Sequence, residues 1–401
     1  METLRHVYAG AFFCSFLFLF SCSTEKPITV GNAAVQVQLV GSARELIVLS
    51  IPGSSESLGI GPPEFEIDGT KRKGVLRNIH QVGEGTTLKN NAVEYVFTGT
   101  MEELPDAELR IILRIPASNP VVRFRYELSA TSAHTLTKEH GADNLLYFSA
   151  SLASMEKVKE IRFSEFNEMV HSFSLSERIL EKRHFDDSIS AMGPLIFASN
   201  SSHSFILGYE HGSQVPDAFL QYQLNPDGTV SLEAVKGNYS AGEKFSSEKP
   251  FSTVWLEAAM VAGGEQAMAS TYRSFVLNDM TENLESRKPY IFYNTWNYQE
   301  RMKHWYKKPY LDSMNLKRIT REIDVAHRMG IEVFVIDAGW FEKTGDWKPS
   351  PTRFPDGLKD VKAQLDRYGM KLGLWFNPTV AAQSSKMYLE PPEVCPHYEW
   401  R

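Results

Sequence analysis

The chain has 401 residues, 42% of them hydrophobic and 23% charged, which is ordinary globular material with room for two domains. That composition excludes a disordered or fibrous protein. A formal net charge of −7 offers no electrostatic footprint for nucleic acid, which asks for Lys and Arg gathered on one face.

Residues 1–22 differ from the rest. Arg5 precedes "AFFCSFLFLFSC", an apolar run of about a dozen residues, too short to span a bilayer and of the right length for a signal-peptide core. The run ends in Leu19-Phe20-Ser21-Cys22, which resembles the bacterial lipobox. Cys22 is therefore the expected lipid anchor, and the expected location is the bacterial cell envelope, at the periplasmic or outer surface. A plain secretory signal or an uncleaved anchor is the competing reading. Only Cys14, Cys22 and Cys395 occur, so no disulfide framework is expected and the protein must stand on its cores.

From residue 28 to 285 short alternating runs are separated by turn residues. "VQVQLV" (35–40), "VEYVF" (93–97), "LRIILRI" (109–115), "VRFRYEL" (122–128) and "FILGYE" (205–210) read as strands. In "VRFRYEL" the residues Val122, Phe124, Tyr126 and Leu128 share one face and Arg123, Arg125 and Glu127 the other. Asn225-Pro226-Asp227-Gly228 is a turn, with Pro fixing one φ and Gly supplying another. The expectation is a large antiparallel β-sandwich. His140 with Asp143, and His184 with Asp186 and Asp187, have no metal-type spacing and read as structural, so no metal and no cofactor is expected.

The polar stretch Asp279 to Pro289 reads as a linker, and residues 286–401 change register. "YIFYNTW" (290–296), "IEVFVIDAGW" (331–340) and "KLGLWFNP" (371–378) read as strands. Between them, Leu316, Ile319, Ile323, Ala326 and Met329 recur at helical steps before Gly330, as do Leu358, Val361, Leu365 and Tyr368 before Gly369. Strand–helix alternation predicts parallel strands, the opening βα units of a (β/α)-barrel. The C-terminal strand ends of such a barrel carry its site, so Asn294, Trp296, Asp337, Trp340, Trp375 and Asn377 are brought to one rim. Carboxylates beside indoles suit a sugar: the acid accepts hydroxyl protons, and the flat ring covers the C–H face of the pyranose.

"NTW", "IDAGWF", "GDW", "RFPDGLK" and "GLWFNP", in that order, resemble the α-galactosidases of glycoside hydrolase family 36 over residues 290 to about 380. The resemblance implies a β-sandwich followed by a (β/α)8 barrel, and an α-galactoside-type oligosaccharide as ligand. It makes Asp337 the acceptor of galactose hydroxyls, Trp375 a lining of the same subsite, Trp296 the substrate-binding Trp after strand one, and Asp346 and Trp347 the loop near the pocket mouth. Ala338 stands where the family has a second acid, which loosens the expected preference for galactose.

Such a barrel takes about 250 residues, whereas roughly 110 follow Pro289, enough for three units. The nucleophile and acid/base of the family's retaining double displacement are therefore expected beyond residue 401, and the 401-residue chain alone is expected to be inactive. Two alternatives stand beside this reading: a non-catalytic sugar-binding lipoprotein, and an α-glycosidase like those of glycoside hydrolase family 97. Oligomeric state is left open.

Overall fold

The computed structural model describes residues 27–138, 145–167, 172–180, 189–210, 220–234, 242–311, 313–378 and 380–390. Cys22, Cys395, His140, Asp143, His184, Asp186 and Asp187 lie outside the described residues. The chain divides into two compact units between Leu284 and Glu285.

The first unit holds a 12-stranded and an 11-stranded sheet, and every strand pair within them is antiparallel. Period-2 alternation does what the sequence predicts. In the strand Leu104–Ile115 the residues Ala107, Leu109, Ile111 and Leu113 are wholly buried, and they sit opposite Ala130, Leu128, Tyr126 and Phe124 of Val122–Ala130. These side chains share one core with Val37, Leu49, Ile60 and Tyr147 of the other sheet. Phe124 meets Phe148 across the sandwich, 6.1 Å between centroids. Truncating such a residue to Ala costs about 2–5 kcal/mol. The Asn225–Gly228 turn closes as expected, with Gly228 N–H donating to the Asn225 carbonyl at 2.9 Å.

The sequence reading missed the helix Glu265–Asn278, which lays Met268 and Phe275 on Val121, Phe197, Ile206 and Ala259, on the face of the second sheet turned away from the main core. That cover explains why Arg123, on the polar face of its strand, is buried. Its guanidinium takes both oxygens of Glu210, at 2.6 and 2.7 Å, and the Met280 carbonyl at 3.0 Å. Arg114 adds an ion pair to Glu282 at 3.0 Å, so the first half of the expected linker is fastened to the sandwich.

The second unit is built on three parallel strands in sequence order, Phe292–Asn294, Val333–Ile336 and Lys371–Leu374. The helices Leu316–Arg328 and Lys359–Arg367 return the chain between them. Asn315 caps the first by accepting the Arg318 N–H at 3.1 Å, and Gly330, at φ 77°, follows its end. Ile319, Ile323, Val361 and Leu365 are buried against Phe334 and Ile336. Met329, expected on the buried face, is 71% exposed because it lies past the last helical turn. All three strands are shorter than their apolar runs. Trp296 opens a short helix, Trp296–Glu300, instead of ending a strand.

Candidate active site

Alternation decides what the strand ends present. Phe334 and Ile336 face the helices, so Val333, Val335 and then Asp337 face the other way. The register puts Asn294 beside Val335 and Val335 beside Gly373, which carries Trp375 onto the face of Asp337. Gly373 is small by necessity, since a Cβ there would lie 2.8 Å from Val335 Cγ2.

Asp337 is 6% exposed, and no cation pairs with it among the described residues. Its Oδ2 accepts the Asn294 amide at 3.0 Å and its Oδ1 the Ala338 N–H at 2.8 Å. Its own N–H donates to Thr295 Oγ1 at 2.9 Å. Thr295 and Gln299, both wholly buried, lock this corner: Gln299 Nε2 donates to the Ala338 carbonyl at 2.7 Å and Trp296 N–H to Asn294 Oδ1 at 2.8 Å. An ionised carboxylate can accept about four hydrogen bonds. With two taken, lone pairs remain for a ligand.

Those lone pairs border a cavity of about 360 Å³ walled by Asp337, Ala338, Trp296 and Trp375, and also by Tyr310, Leu311, Phe341 and Thr344. Ala338 is part of that wall. Trp375 is 39% exposed and Trp296 meets Tyr310 edge to face at 6.1 Å. One carboxylate among four aromatic rings can bind a polyhydroxylated ring and orient it. Among the described residues, no group of three or more His, Cys, Asp or Glu is placed to hold a metal ion.

The other sequence candidates support this wall from behind. Trp340 is 5% exposed and outside the cavity lining; its Nε1–H donates to the Trp375 carbonyl at 2.8 Å and so fixes the end of the third strand. Trp347, with φ at 49°, packs edge to face on Phe341 at 4.7 Å and on Trp375 at 6.2 Å. Asp346 accepts the N–H groups of Lys386 and Met387, each at 3.0 Å, and so ties down the first turn of the short helix Lys386–Leu389, whose N-cap is Ser385. Those two donors hold its carboxyl below the usual range, the Lys386 N–H first.

The sequence elements around these residues have equally local causes. Arg353 of "RFP" holds the loop by donating to the Gly339 and Phe341 carbonyls, both at 2.7 Å. Gly345 of "GDW", at φ 100°, could carry no Cβ, which would fall 2.8 Å from that of Ala381. Tyr310, Leu311 and Thr344 were not foreseen. They come from irregular connections, where no periodicity marks them. Phe341 was visible in "IDAGWF", where the neighbouring indole drew the functional reading instead.

Residues 250–401 match the Melibiase family model. Alpha-galactosidase Mel36A of Lactobacillus acidophilus is 25% identical over 208 residues, 50% of this chain and 26% of that protein. Alpha-galactosidase AgaA of Geobacillus stearothermophilus is 27% identical over 168 residues, 37% of this chain and 22% of that one. The matches thus span about a quarter of each of these relatives. In fold, a doubly substituted variant of the same family 36 alpha-galactosidase AgaA, solved in complex with raffinose, aligns with a TM-score of 0.59 at 13% identity, covering 92% of this chain and 58% of that one. The Lactobacillus brevis alpha-galactosidase aligns with a TM-score of 0.59 at 14% identity, covering 91% and 56%. The chain is thus glycoside hydrolase family 36-like, with the family's sandwich and the first βα units of its barrel.

Proposed function

We propose that the protein is a glycoside hydrolase of the α-galactosidase type and that this chain's own part in it is to hold the terminal galactosyl residue. The observation that carries the reading is Asp337: a nearly buried carboxylate, pinned by Asn294 and the Ala338 N–H, with free lone pairs on a cavity lined by Trp296 and Trp375. A charge-assisted hydrogen bond to a sugar hydroxyl contributes about 1.5–3 kcal/mol, and the indoles add burial of the sugar's C–H face. Ala338 removes the second acid the family motif would supply, so discrimination between galactose and its 4-epimer rests on Asp337 alone. Family resemblance makes the reaction a retaining double displacement, with a nucleophile and an acid/base in addition to the residues named here.

The test is a titration of intrinsic tryptophan fluorescence with galactose and raffinose. The wild-type signal should saturate, and Asp337→Asn should weaken binding at least tenfold. A titration with no response, or an unchanged Asp337→Asn, overturns the reading. Hydrolysis of an aryl α-galactoside by this chain fused to the remaining barrel strands of a family relative, and not by the chain alone, separates a hydrolase from a sugar-binding protein.

We further propose that Cys22 is lipidated and tethers the protein to the bacterial envelope, supported by the Leu19–Cys22 sequence after an apolar run. Palmitate labelling should vanish in Cys22→Ala. Labelling that survives the substitution contradicts it.

A further inference from the structure

The segment from Trp296 to Tyr310 leaves the cavity wall and returns to it, since both residues line the cavity. Between these anchors run the helix Trp296–Glu300, one turn of π-helix, Arg301–Trp305, and a loop. Single π turns concentrate at functional sites. Residues 303–309 are all exposed, and Trp305 at 77% is the most exposed of the large apolar side chains among the described residues. A lone indole in water forgoes the burial its large surface would gain, so its position calls for a ligand or a partner.

Charge is gathered here as well. Arg301, Lys303, Lys307 and Lys308 stand against Glu300 within nine residues of a chain whose formal net charge is −7. The Arg301 guanidinium lies 5.8 Å from the Trp305 ring centre and 5.4 Å from that of Tyr306, and it donates to the Tyr306 hydroxyl at 2.9 Å. Lys303 Nζ lies 5.3 Å from the centre of Tyr310, a ring of the cavity wall. Glu300, the segment's one carboxylate, pairs with His304 at 3.0 Å. Lys307, in the left-handed region at φ 52°, and Lys308 have no carboxylate partner among the described residues.

We propose that this basic aromatic rim is a subsite for acidic sugars, sulfated or carboxylated, that follow the galactosyl residue in an oligosaccharide. Trp305 and Tyr306 supply flat apolar faces for the sugar rings, and the ammonium groups of Lys307 and Lys308 neutralise the sulfate ester or uronate. A neutral glycan would leave these cations unused. An anionic lipid surface would also attract such a segment, but the return of the chain to the sugar-cavity wall at both ends favours a glycan that continues out of the cavity. The proposal rests on the galactoside reading of the Asp337 cavity.

The test uses the full chain and titrates galactose, a neutral galactosyl-terminated trisaccharide, and the same trisaccharide bearing one sulfate ester or one uronate. Phosphatidylglycerol vesicles are run in parallel. At low salt a charged trisaccharide should bind about tenfold tighter than the neutral one, and the stronger of the two identifies the acidic group. The exposed double substitution Lys307→Gln/Lys308→Gln should erase that preference. Trp305→Ala should weaken all trisaccharides about fivefold, and galactose affinity should stay unchanged in both variants. Equal affinity for charged and neutral trisaccharides overturns the proposal, as does a rim dependence seen only with vesicles. Galactose binding that depends on Asp337, without a charge preference, sinks the rim and keeps the cavity. Lysine-dependent binding of charged sugars without galactose binding does the reverse, and no binding of any saccharide sinks both.

Discussion

Among the buried carboxylates of the described residues, Glu257 in the sandwich, at 1% exposure, and Asp337 at the barrel strand ends, at 6%, have opposite settings. Glu257 lies beneath the helix Glu265–Asn278, where Tyr272 donates its hydroxyl at 2.7 Å. The guanidinium of Arg123 is committed to Glu210. Burial first, and then the charge of Glu210, push the Glu257 carboxyl up to about 8. Asp337 instead looks into an open cavity. A closed roof turns a buried acid into a stability liability relieved by a proton, whereas an open one leaves its lone pairs for a ligand.

The largest effect that would sharpen this contrast is on stability. A carboxyl whose folded value is raised stabilises the fold fully below its ordinary value of 4.5, and that contribution is lost as pH rises through about 8. The sandwich should therefore be less stable, and unfold at a lower temperature, at pH 8.5 than at pH 5, its stability falling by up to about 1.4 kcal/mol per pH unit across that window. Glu257→Gln should flatten the profile. Parallel thermal-unfolding profiles for the variant and the wild type would break the contrast from the sandwich side.

On the cavity side, Ala338→Asp adds the missing acid. It should raise the preference for galactose over glucose roughly tenfold, about 1.4 kcal/mol, read from the ratio of dissociation constants. An unchanged ratio would mean that the Ala338 wall does not meet the 4-hydroxyl. Trp340→Phe keeps a ring in the core but removes the hydrogen bond that fixes Trp375. Galactose affinity should fall about threefold, on the order of one hydrogen bond shared between stability and site geometry. A loss as large as that of Asp337→Asn would put Trp340 in contact with the sugar.

The smallest effect is expected at Asp346. Asp346→Ala removes the acceptor of the first two N–H groups of the helix Lys386–Leu389, leaving its N-cap Ser385, and should lower stability by about 0.5–1 kcal/mol, with galactose affinity changed less than about twofold. Calorimetric titration beside a melting curve distinguishes that outcome from a direct sugar contact.

The two regions also differ in how much of them can be read without coordinates. Sandwich strands were legible because alternation such as Phe124, Tyr126 and Leu128 against Arg123, Arg125 and Glu127 is a property of neighbouring residues. The helix Glu265–Asn278 was not, because its only buried side chains, Met268 and Phe275, stand two turns apart and leave a weak periodic signal. Around the cavity, Asp337, Trp296 and Trp375 could be placed because strand ends and motif order point to them. Which face each indole turns was not legible: Trp340 and Trp375 share one kind of motif, yet one is wedged behind the wall and the other forms it. Tyr310 and Thr344 reach the cavity through loops whose course is set by Gly339, Gly345 and Arg353 packing on residues distant in sequence, which no local pattern encodes.

The central claim, that Asp337 is the acid that receives the galactosyl hydroxyls, is tested most directly by a crystal structure of the protein soaked with galactose. The account predicts the sugar in the cavity, with a hydroxyl oxygen about 2.5–3.0 Å from an Asp337 carboxylate oxygen and its C–H face against Trp296 or Trp375. Galactose bound elsewhere, or bound in the cavity with Asp337 still engaged only by Asn294 and the Ala338 N–H, would contradict it.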